Sequence, residues 1–499
     1  MKALLINPYY VIPRAWVPHL PYEPLALEYL ATMVEGEHQV RILDCVGEFP
    51  CQYQALPDGR VRVGAYPDQI KDVISMWHPD LVGISMQFVT QMRQACHIAQ
   101  LIKDSDKNIV TVIGGTHASV EPERILSENP SVDMVVVGEG ELTFKELLDR
   151  KATDLDKING IVYKNGNNII RNEFRKPIDD LDEIPFPRRD LVPFANYSSS
   201  LLVGSPRERL NTLITWLRFN RDWERLRIRL RHIMLSRKLA LFRGYSSVKR
   251  ASILTSRGCP FNCHFCSPTS VYGQLYRMRS PSNVLEEIEM LVKDYGVEAI
   301  SIVDDNFNVS KKWVVEICEE VIRRGLHLTL IAVSGMCLAP WLDFETLTLM
   351  KKAGFNEIYF GIENANQEIL DKVINKKIDV KKVPEVTRLC KKAGIIPGGY
   401  LILGVPGETI ETMENTVEFA FSSGLEKIRI WAFQPGTGTK LYEDCVNNGW
   451  LVEGYEPSDE AMLASRSYVK TPDFSPEDVN RLLESAKKRL RKANKLDMT

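Results

Sequence analysis

Short apolar runs alternate with helix-length amphipathic stretches along the first 150 residues of the chain. The apolar runs predict strands at Lys2–Asn7, Gln39–Asp44, Leu81–Ser85, Ile109–Gly114 and Met134–Val137. The stretches between them predict helices at Glu23–Val34, Asp68–Trp77, Gln91–Lys103 and Glu121–Glu128. This alternation predicts an α/β domain over residues 1–150, with a doubly wound, Rossmann-like parallel sheet that binds its ligand at the carboxyl ends of the strands.

A second α/β series begins at Ala251. Its apolar runs predict strands at Ala251–Thr255, Ala299–Val303, Leu328–Val333, Glu357–Gly361, Gly399–Gly404 and Lys427–Phe433. Helices are predicted at Pro281–Tyr295, Lys311–Arg324, Asp343–Ala353, Val380–Ala393 and Ile410–Ser423. Six alternating units predict a partial (β/α)6 barrel of the TIM type over residues 251–445, with its site at the carboxyl strand ends. Residues 446–499 are charged and are predicted to be helical.

The two series are joined by residues 151–195. The Asn-Gly-Asn-Asn run at 165–168 predicts a hairpin between Gly160–Lys164 and Ile169–Glu173. The Pro-rich stretch Ile184–Pro193 predicts a linker.

Composition places the chain among ordinary globular proteins. Its 499 residues are enough for two or three domains, and 44% of them are hydrophobic and 26% charged. The net charge of −2 gives no general reason to expect a nucleic acid as partner. Met1–Asn7 has the pattern of a buried strand rather than of a signal peptide, and no run approaches the roughly 20 apolar residues that cross a bilayer. We therefore expect a cytoplasmic protein.

Three of the ten cysteines lie within eight residues of one another. Cys259, Cys263 and Cys266 are spaced x3 and x2 in the segment TSRGCPFNCHFCSP, on a loop that follows a strand. Three thiolates can hold a [4Fe–4S] cluster and leave one iron open to a small molecule. A zinc site is the alternative, because His264 lies inside the motif. The other seven have no regular spacing, which predicts small buried residues: Cys45, Cys51, Cys96, Cys318, Cys337, Cys390 and Cys445.

The cysteine loop, with Phe265 before its last cysteine, resembles that of the radical SAM superfamily. In that family the open iron chelates S-adenosylmethionine (SAM), whose cleavage gives a 5′-deoxyadenosyl radical. The resemblance extends over most of residues 251–445 and implies SAM-binding roles at the carboxyl ends of three strands. The residues concerned are Asp304, Asp305 and Asn306, then Glu363 of Gly361–Glu363, and Gly404 of Leu403–Thr409. Pro435–Tyr442 resembles a closing segment of the branch that binds cobalamin. The basic residue often found on the third strand is missing from Ala332–Met336.

The N-terminal domain resembles the cobalamin-binding domain of class B radical SAM enzymes. No GxGxxG motif follows the first strand, which weakens a dinucleotide alternative. Glycine-rich segments instead end two later strands, at Ile113–Ser119 and Val137–Glu141, and can approach a bulky cofactor closely. With the segment after Val82, they predict cofactor contacts by Ser85, Gln87, Gly114, Gly115, His117, Gly138, Glu139, Gly140 and Glu141.

The resemblance also predicts how cobalt is held. The segment Asp44–Glu48 stands where related domains carry Asp-x-His-x-x-Gly, and it contains no histidine. We therefore expect cobalamin to bind without a protein histidine on cobalt. Met86, Gln87 and Phe88 are candidates to cover the lower face of the corrin.

Residues 196–250 form a basic insertion between the two domains. Within 206–250, thirteen Lys and Arg stand against three acidic residues, a local charge of +10, whereas the rest of the chain carries −12. Apolar residues recur there at spacings of three and four, from Trp216 to Ile233. Three interpretations stay open: a helix packed on the barrel, an interfacial helix on anionic lipid through residues 206–245, or a nucleic-acid contact, which is the least favoured.

The resemblance implies an enzyme that uses a [4Fe–4S] cluster, SAM and cobalamin, with an electron donor of the flavodoxin or ferredoxin type. Its expected reaction is methylation of an unactivated carbon of a small-molecule or lipid substrate, with no catalytic residue beyond the cofactors. The alternatives are a radical cyclase or carbon–carbon-forming enzyme and, more distantly, a non-catalytic iron–sulfur redox or sensor protein. A methylthiotransferase is disfavoured because the N-terminal domain has no second cysteine triad.

Overall fold

The computed structural model describes residues 1–14, 21–50, 52–197, 249–267, 274–457 and 466–497. Of the basic insertion predicted at 196–250, residues 198–248 lie outside the described residues, and with them the stretch 206–245 that was predicted to contact a membrane. None of the described helices combines the length and apolarity needed to cross a membrane.

The N-terminal domain is a seven-stranded sheet between two layers of helices, with a small three-stranded sheet beside it. Its elements, in chain order, are β1 (Lys2–Asn7), β2 (Tyr10–Pro13), α1 (Leu25–Thr32), β3 (Gln39–Asp44), β4 (Tyr53–Ala55), β5 (Arg60–Val63), α2 (Pro67–Trp77), β6 (Leu81–Ser85), α3 (Met92–Ser105), β7 (Val110–Gly114), α4 (Thr116–Val120), α5 (Pro122–Glu128), β8 (Met134–Val136), α6 (Glu141–Asp149), β9 (Ile161–Asn165) and β10 (Asn168–Arg171).

The large sheet has the order β10-β9-β8-β7-β6-β1-β3, and its strands from β3 to β8 are parallel. Leu4 and Ile6 pack in one apolar cluster with α2 and α3, whereas Ala3 and Leu5 pack in another with α1 and α6. Burial on both faces is what a central parallel strand requires. The doubly wound prediction is confirmed.

Two features of this domain differ from the prediction. The hairpin β9–β10 is not part of a separate connection, because β9 pairs antiparallel with β8 and extends the large sheet past residue 150. It covers an edge that a three-residue strand would otherwise expose. The small sheet, of order β2-β5-β4, was not predicted because its strands have only three or four residues.

The second domain is the predicted partial barrel. Its elements are β11 (Arg250–Ile253), β12 (Ser256–Arg257), β13 (Arg277–Met278), α7 (Pro281–Tyr295), β14 (Ala299–Ile302), α8 (Lys311–Arg323), β15 (Thr329–Met336), α9 (Phe344–Lys352), β16 (Phe355–Glu363), a π-helix at Ile369–Ile374, α10 (Val383–Ala393), β17 (Ile396–Leu403), α11 (Ile410–Ser422), β18 (Lys427–Ala432), α12 (Lys440–Asn447) and α13 (Pro476–Lys492). Six parallel strands follow the order β11-β14-β15-β16-β17-β18, so the described sheet is open between β11 and β18.

The C-terminal segment borders the edge of β18. Ile428 of β18 donates its N–H to the carbonyl of Lys495 at 2.8 Å, and its own carbonyl accepts the N–H of Asp497 at 2.9 Å. The helix α13 buries Leu483 and Leu490 in the barrel core. Residues 495–497 therefore cover the edge of β18, which would otherwise carry unpaired backbone groups.

The predicted linker contributes a buried charge to the junction of the domains. Arg189 is fully buried and donates to Glu23 at 2.6 Å, to Glu287 at 2.8 Å and to the carbonyl of Ser252 at 2.7 Å. These partners come from both domains and compensate the buried charge.

Candidate functional site

The three clustered cysteines lie at the carboxyl end of β11, on the loop that follows β12. Burial raises the pKa of the Cys263 thiol, and it raises that of Cys266 to about 12. The charge on the neighbouring thiolates adds to both shifts, so the three sulfurs converge on one region. Such thiols lose their protons when a metal centre binds them, because the metal charge replaces the missing solvation.

The π-helix Ile369–Ile374 anchors the cysteine loop. The backbone N–H of His264 donates to Ile374 at 2.9 Å, and its ring Nδ1 lies 2.8 Å from the carbonyl of Val373. Asn375 donates its amide to the carbonyl of Asn262 at 2.8 Å. His264 thus binds the neighbouring backbone, and the π-turn presents the carbonyls that hold the loop.

The three residues Asp304–Asn306 do not all face the same way. Asp304 contacts the residues at the start of the cysteine loop, whereas Asp305 is exposed beside it. Asp304 is buried and accepts hydrogen bonds from the Thr255 backbone at 2.7 Å and from the Ser256 hydroxyl at 2.6 Å. Burial raises its pKa to about 6. Asp304 therefore positions the start of the loop. The side chain of Asp305 has exposed surface; the surrounding protein raises its pKa, and the hydrogen bond that it accepts from the Gly258 N–H only partly offsets that rise.

Asn306 faces the cysteines directly. Its Nδ2 lies 3.9 Å from the Cys259 sulfur, and its backbone carbonyl accepts the hydroxyl of Tyr276 at 3.0 Å. Within the described residues the buried Oδ1 of Asn306 makes no hydrogen bond. A buried acceptor of this kind is costly unless a ligand supplies the donor.

Glu363 and Lys376 form an ion pair beside the cysteines that the sequence did not predict. The Lys376 ammonium lies 2.8 Å from Glu363 Oε1, and the two side chains are 17% and 10% exposed. Burial lowers the pKa of Lys376, but the charges of Glu363, Cys263 and Cys266 outweigh it and raise the pKa overall. Glu363 has a positive φ of 66°, a strained conformation for a non-glycine residue.

The basic residue that is often found on the third strand is missing from Ala332–Met336. Lys376, which lies on another element, places a cation beside the cysteines. Gly361 makes room for it, because a Cβ there would lie 2.7 Å from the Lys376 nitrogen. Lys376 was not predicted as a site residue, and only the fold brings it to the cysteines.

Gly404 belongs to a backbone turn held by a buried glutamate. The N–H groups of Gly404 and Val405 each donate to Glu408 Oε2 at 2.8 Å, and Asn364 donates to its Oε1 at 2.6 Å. Burial raises the pKa of Glu408 to about 7. Gly404 has a φ of 81°, so the turn after β17 requires glycine there. Glu408 was not predicted as a site residue.

Cys337, which was predicted to be a small buried residue, lies beside this site. Burial raises the pKa of its thiol, a hydrogen bond from Asn306 lowers it, and the charge of Cys259 raises it. Its backbone N–H is fixed by Asn308 at 2.7 Å. Cys45, Cys318, Cys390 and Cys445 are buried, as predicted.

The loops after β6 and β7 meet at the carboxyl edge of the N-terminal sheet. The His117 N–H donates to the carbonyl of Gln87 at 3.3 Å, and a Cβ on Gly115 would lie 2.6 Å from the carbonyl oxygen of Met86. Gly115 is therefore required by the close approach of the two loops. Met86 is completely buried in the apolar core, whereas Gln87 is exposed and Phe88 is 63% exposed. Of the three candidates for the lower corrin face, Met86 thus points away from the open edge.

Other predicted contacts at this edge are partly buried. Ser85 is 9% exposed, and Gly114, at the end of β7, has only ordinary packing around it. Burial lowers the pKa of His117, and its Nε2 makes no hydrogen bond among the described residues, although it lies 3.6 Å from Glu121.

The loop after β8 faces the cysteine domain. Glu141 accepts from Arg257 at 2.5 Å, and Glu139 accepts from Arg277 at 2.5 Å and from the Ile178 N–H at 3.0 Å. The intervening Gly140 precedes α6, and Gly138 has a φ of 85° with the Phe174 ring against it. Both carboxylates, predicted to contact cofactor, accept hydrogen bonds from arginines of β12 and β13, the two strands that enclose the cysteine loop.

The loop after β3 is closed by the first two residues of the segment predicted as the basic insertion, Asn196 and Tyr197. Asp44 accepts from Asn7 at 2.9 Å and from the Tyr197 hydroxyl at 2.7 Å. Asn196 donates to the carbonyl of Gly47 at 2.8 Å. The position where related domains carry a histidine is occupied by the buried Val46, whose N–H donates to Asp44.

Comparison with known proteins identifies the two domains. The family model of the radical SAM superfamily matches residues 253–420, and that of the B12-binding domain matches residues 17–148. An uncharacterized methyltransferase of Pyrococcus horikoshii is 31% identical over 93% of this chain and 86% of its own length. The chain belongs to the cobalamin-dependent radical SAM enzymes.

Two further proteins place this cobalamin-dependent radical SAM enzyme among its relatives. Cytidylyl-2-hydroxyethylphosphonate methyltransferase of Streptomyces wedmorensis is 28% identical over 90% of this chain and 82% of its own length. The solved structure of TsrM from Kitasatospora setae, with cobalamin and a [4Fe–4S] cluster bound, has a TM-score of 0.65 at 19% identity. It covers 90% of this chain and 75% of TsrM, and supports the fold.

This cobalamin-dependent radical SAM enzyme uses a [4Fe–4S] cluster, SAM and cobalamin. Its residues fit these groups. Three converging thiols match a cluster with one open iron, and the unpaired Asn306 Oδ1 beside them matches a ligand that donates a hydrogen bond. At the other edge, the exposed Phe88 ring and the unpaired His117 Nε2 match a large ligand with apolar and polar parts. The zinc and non-catalytic alternatives are set aside.

Proposed function

We propose that the protein transfers a methyl group to an unactivated carbon of a small-molecule substrate. When bound, the cluster with SAM supplies the 5′-deoxyadenosyl radical that removes a substrate hydrogen atom, and cobalamin supplies the methyl group. The observation that carries the proposal is the contact between the two carboxyl edges. Glu141 of the cobalamin-binding domain pairs with Arg257, two residues before Cys259.

We assign the cluster to Cys259, Cys263 and Cys266. Around it, Asp305 and the Asn306 Oδ1 offer acceptors for the amino group of SAM, and Lys376 offers a cation for its carboxylate. An acceptor and a cation in the same site would fix the orientation of an amino acid through its two charged groups. Glu363 orients the Lys376 ammonium at 2.8 Å. The backbone around Gly404, held by Glu408, is assigned to the adenine.

We assign cobalamin to the open edge of the N-terminal sheet. Gln87 and Phe88 have exposed surface there, and His117 Nε2 makes no hydrogen bond among the described residues. Gly114 adds no side chain at its strand end. The buried Asp44–Tyr197 contact supports binding without a histidine on cobalt, because it fills the loop that would supply one. No general acid or base is assigned, since the residues of the chain hold and orient the cofactors and keep water from the radical.

The mass of the product tests the reaction. The anaerobically reconstituted enzyme should contain about four irons and one corrinoid per chain, and each turnover should add one CH2 to the substrate. A cluster without corrinoid would contradict the N-terminal assignment alone. A product that has lost two hydrogens would instead support a cyclase. That alternative has a specific basis, because the anaerobic magnesium-protoporphyrin IX monomethyl ester cyclase of Rubrivivax gelatinosus is 27% identical over 76% of this chain.

We further propose a lipid or isoprenoid substrate reached from an anionic membrane surface. The charge of +10 in residues 206–250, with its apolar spacing, supports an interfacial segment. The hopanoid C-3 methylase of Methylococcus capsulatus, 26% identical over 75% of this chain, shows by its name that one relative acts on a lipid. The electron donor is proposed to be a flavodoxin- or ferredoxin-type protein. An extract of these lipid classes, screened for incorporation of the SAM methyl group, tests the substrate class.

A further inference from the structure

Two buried arginines lie side by side on the two strands that enclose the cysteine loop, β12 before it and β13 after it. Arg257 of β12 and Arg277 of β13 are directly paired across this two-stranded sheet, and both side chains are less than 10% exposed. Like charges in directly opposed positions destabilise a sheet, and a buried arginine without a partner is costlier still. The two strands therefore depend on anions from elsewhere in the molecule.

The anions come from the cobalamin-binding domain. Arg257 donates to Glu141 at 2.5 Å and lies 3.6 Å from Glu139. Arg277 donates to both oxygens of Glu139, at 2.5 and 3.2 Å. Two cations and two carboxylates close a neutral, nearly dry cluster. Arg277 also donates to the carbonyl of Ile178, which follows the hairpin β9–β10 and fixes the direction of the guanidinium.

Three members of this four-residue cluster, Arg257, Glu139 and Glu141, lie in or next to a cofactor loop. Arg257 is two residues from Cys259, and the intervening Gly258 donates its N–H to Asp305. Glu139 and Glu141 flank Gly140 in the loop after β8, at the carboxyl edge assigned to cobalamin. Glu141 is also the first residue of α6, where the helix dipole favours a carboxylate. A shift of either loop would pull a buried charge away from its partner.

We infer that Glu139, Glu141, Arg257 and Arg277 are positioning residues that set the distance and orientation of the cobalamin edge relative to the cluster loop. The inference rests on the proposed assignment of the two cofactors to these loops. Ordinary ion pairs between the domains do not have this property. Arg124 and Glu456, for example, also join the two domains at 2.9 Å, but Glu456 is 61% exposed and lies on neither cofactor loop.

The first test uses the full chain without cofactors, so it does not depend on the reaction. Amide hydrogen exchange is followed at residues 255–258 and 137–141 in Glu141→Gln and in the matched control Glu456→Gln. Exchange in Glu141→Gln should be at least about tenfold faster at both segments, because a charge-assisted contact between them is lost. Glu456→Gln should match the wild type. Equal exchange in Glu141→Gln and the control would overturn the inference.

The second test restores the charges in the opposite order. The double variant Arg257→Glu/Glu141→Arg should exchange more slowly than either single variant. Its recovery should be partial, because the carboxylate introduced at position 257 would then lie near that of Glu139. No recovery at all would show that the charges do not act as a pair, and would overturn the inference.

The third test separates positioning from folding in the holoenzyme. Glu141→Gln should keep its iron and its corrinoid, but it should form several-fold more 5′-deoxyadenosine per product than the wild type. The magnetic interaction between reduced cluster and cob(II)alamin should also change, since it depends on their separation. Loss of iron or corrinoid, or an unchanged interaction, would overturn the inference. If the wild type makes no methylated product, the proposed function fails, and the exchange experiment still decides on the four residues.

Discussion

The ammonium of Lys376 offers the sharpest test of the proposed SAM site. Replacing it in Lys376→Met keeps most of the apolar stem but removes the charge between Glu363 and the cluster thiols. The side chains of the pair are 17% and 10% exposed, so water screens the charge only partly. Loss of one partner from such a contact costs about 2 to 5 kcal/mol.

The exposure of Lys376 places its contribution at the lower end of that range, at about 2 kcal/mol. If the cation binds the SAM carboxylate, this corresponds to a dissociation constant for SAM that is roughly 30-fold higher. Gly361→Ala should have a smaller effect in the same direction. Its Cβ would lie 2.7 Å from the Lys376 nitrogen and would displace the ammonium without removing its charge.

SAM binding is measured by anaerobic equilibrium dialysis on the reconstituted protein, with iron content determined on the same samples. Lys377→Met is the matched control, because it removes an adjacent lysine that is exposed. Iron should stay near four per chain in all variants. A dissociation constant for Lys376→Met within threefold of the wild type, at full iron content, would refute the assignment of Lys376 to the carboxylate.

Three further predictions concern the cluster, the barrel and the insertion. Replacing any one of the three cluster cysteines by Ala should reduce iron from about four per chain to near zero. Cys318 is buried away from the site, so Cys318→Ala should retain the iron. Iron and sulfide analysis of each variant is the measurement. The pKa of Glu408 is about 7 in the folded chain against an ordinary 4.5, so the folded state binds this proton more tightly and gains stability as pH falls from 8 to 5. Relative to Glu408→Gln, the wild type should gain about 2 kcal/mol over that interval in denaturant unfolding of the cofactor-free chain, and a pH-independent difference would contradict the linkage. Deleting 206–245 should release the protein from anionic liposomes, and equal sedimentation of both forms would refute the membrane contact.

The architecture could be predicted from the sequence because two separate patterns identify each parallel strand. An apolar run such as Ala3–Ile6 identifies a strand buried on both faces, and the amphipathic helix after it identifies a crossover. All six barrel strands and five of its helices were predicted within a few residues of their ends. The elements that were missed include the strands β2, β4, β5, β12 and β13, which have too few residues for a period to show. The helices α4, α6 and α12, of five to nine residues, were also missed.

Site residues could be predicted only where spacing along the chain encodes geometry. Cys259 to Cys266 lie on one loop, so their spacing is informative. Lys376 follows the π-helix and Cys337 follows β15, so only the fold brings the charge of one and the thiol of the other to the cysteine loop. For Glu139, by contrast, the residue could be predicted but its binding partner could not. Its motif was found, but the arginine that it binds lies 138 residues away and has no motif of its own.

The contacts of the cysteine loop also determine which property a single substitution should change first. Asp304 holds the residues before the loop, the π-helix holds His264, and Arg257 joins the loop to the cobalamin-binding domain. These attachments come from separate elements, so removal of one leaves the loop held by the other two. The cysteines then keep their mutual spacing, which iron retention requires, while the loop as a whole can move relative to the N-terminal sheet. Substitutions among the four ionic residues Glu139, Glu141, Arg257 and Arg277 should therefore alter the coupling between the cofactors before they alter the iron content. Substitutions of the cysteines should abolish both together.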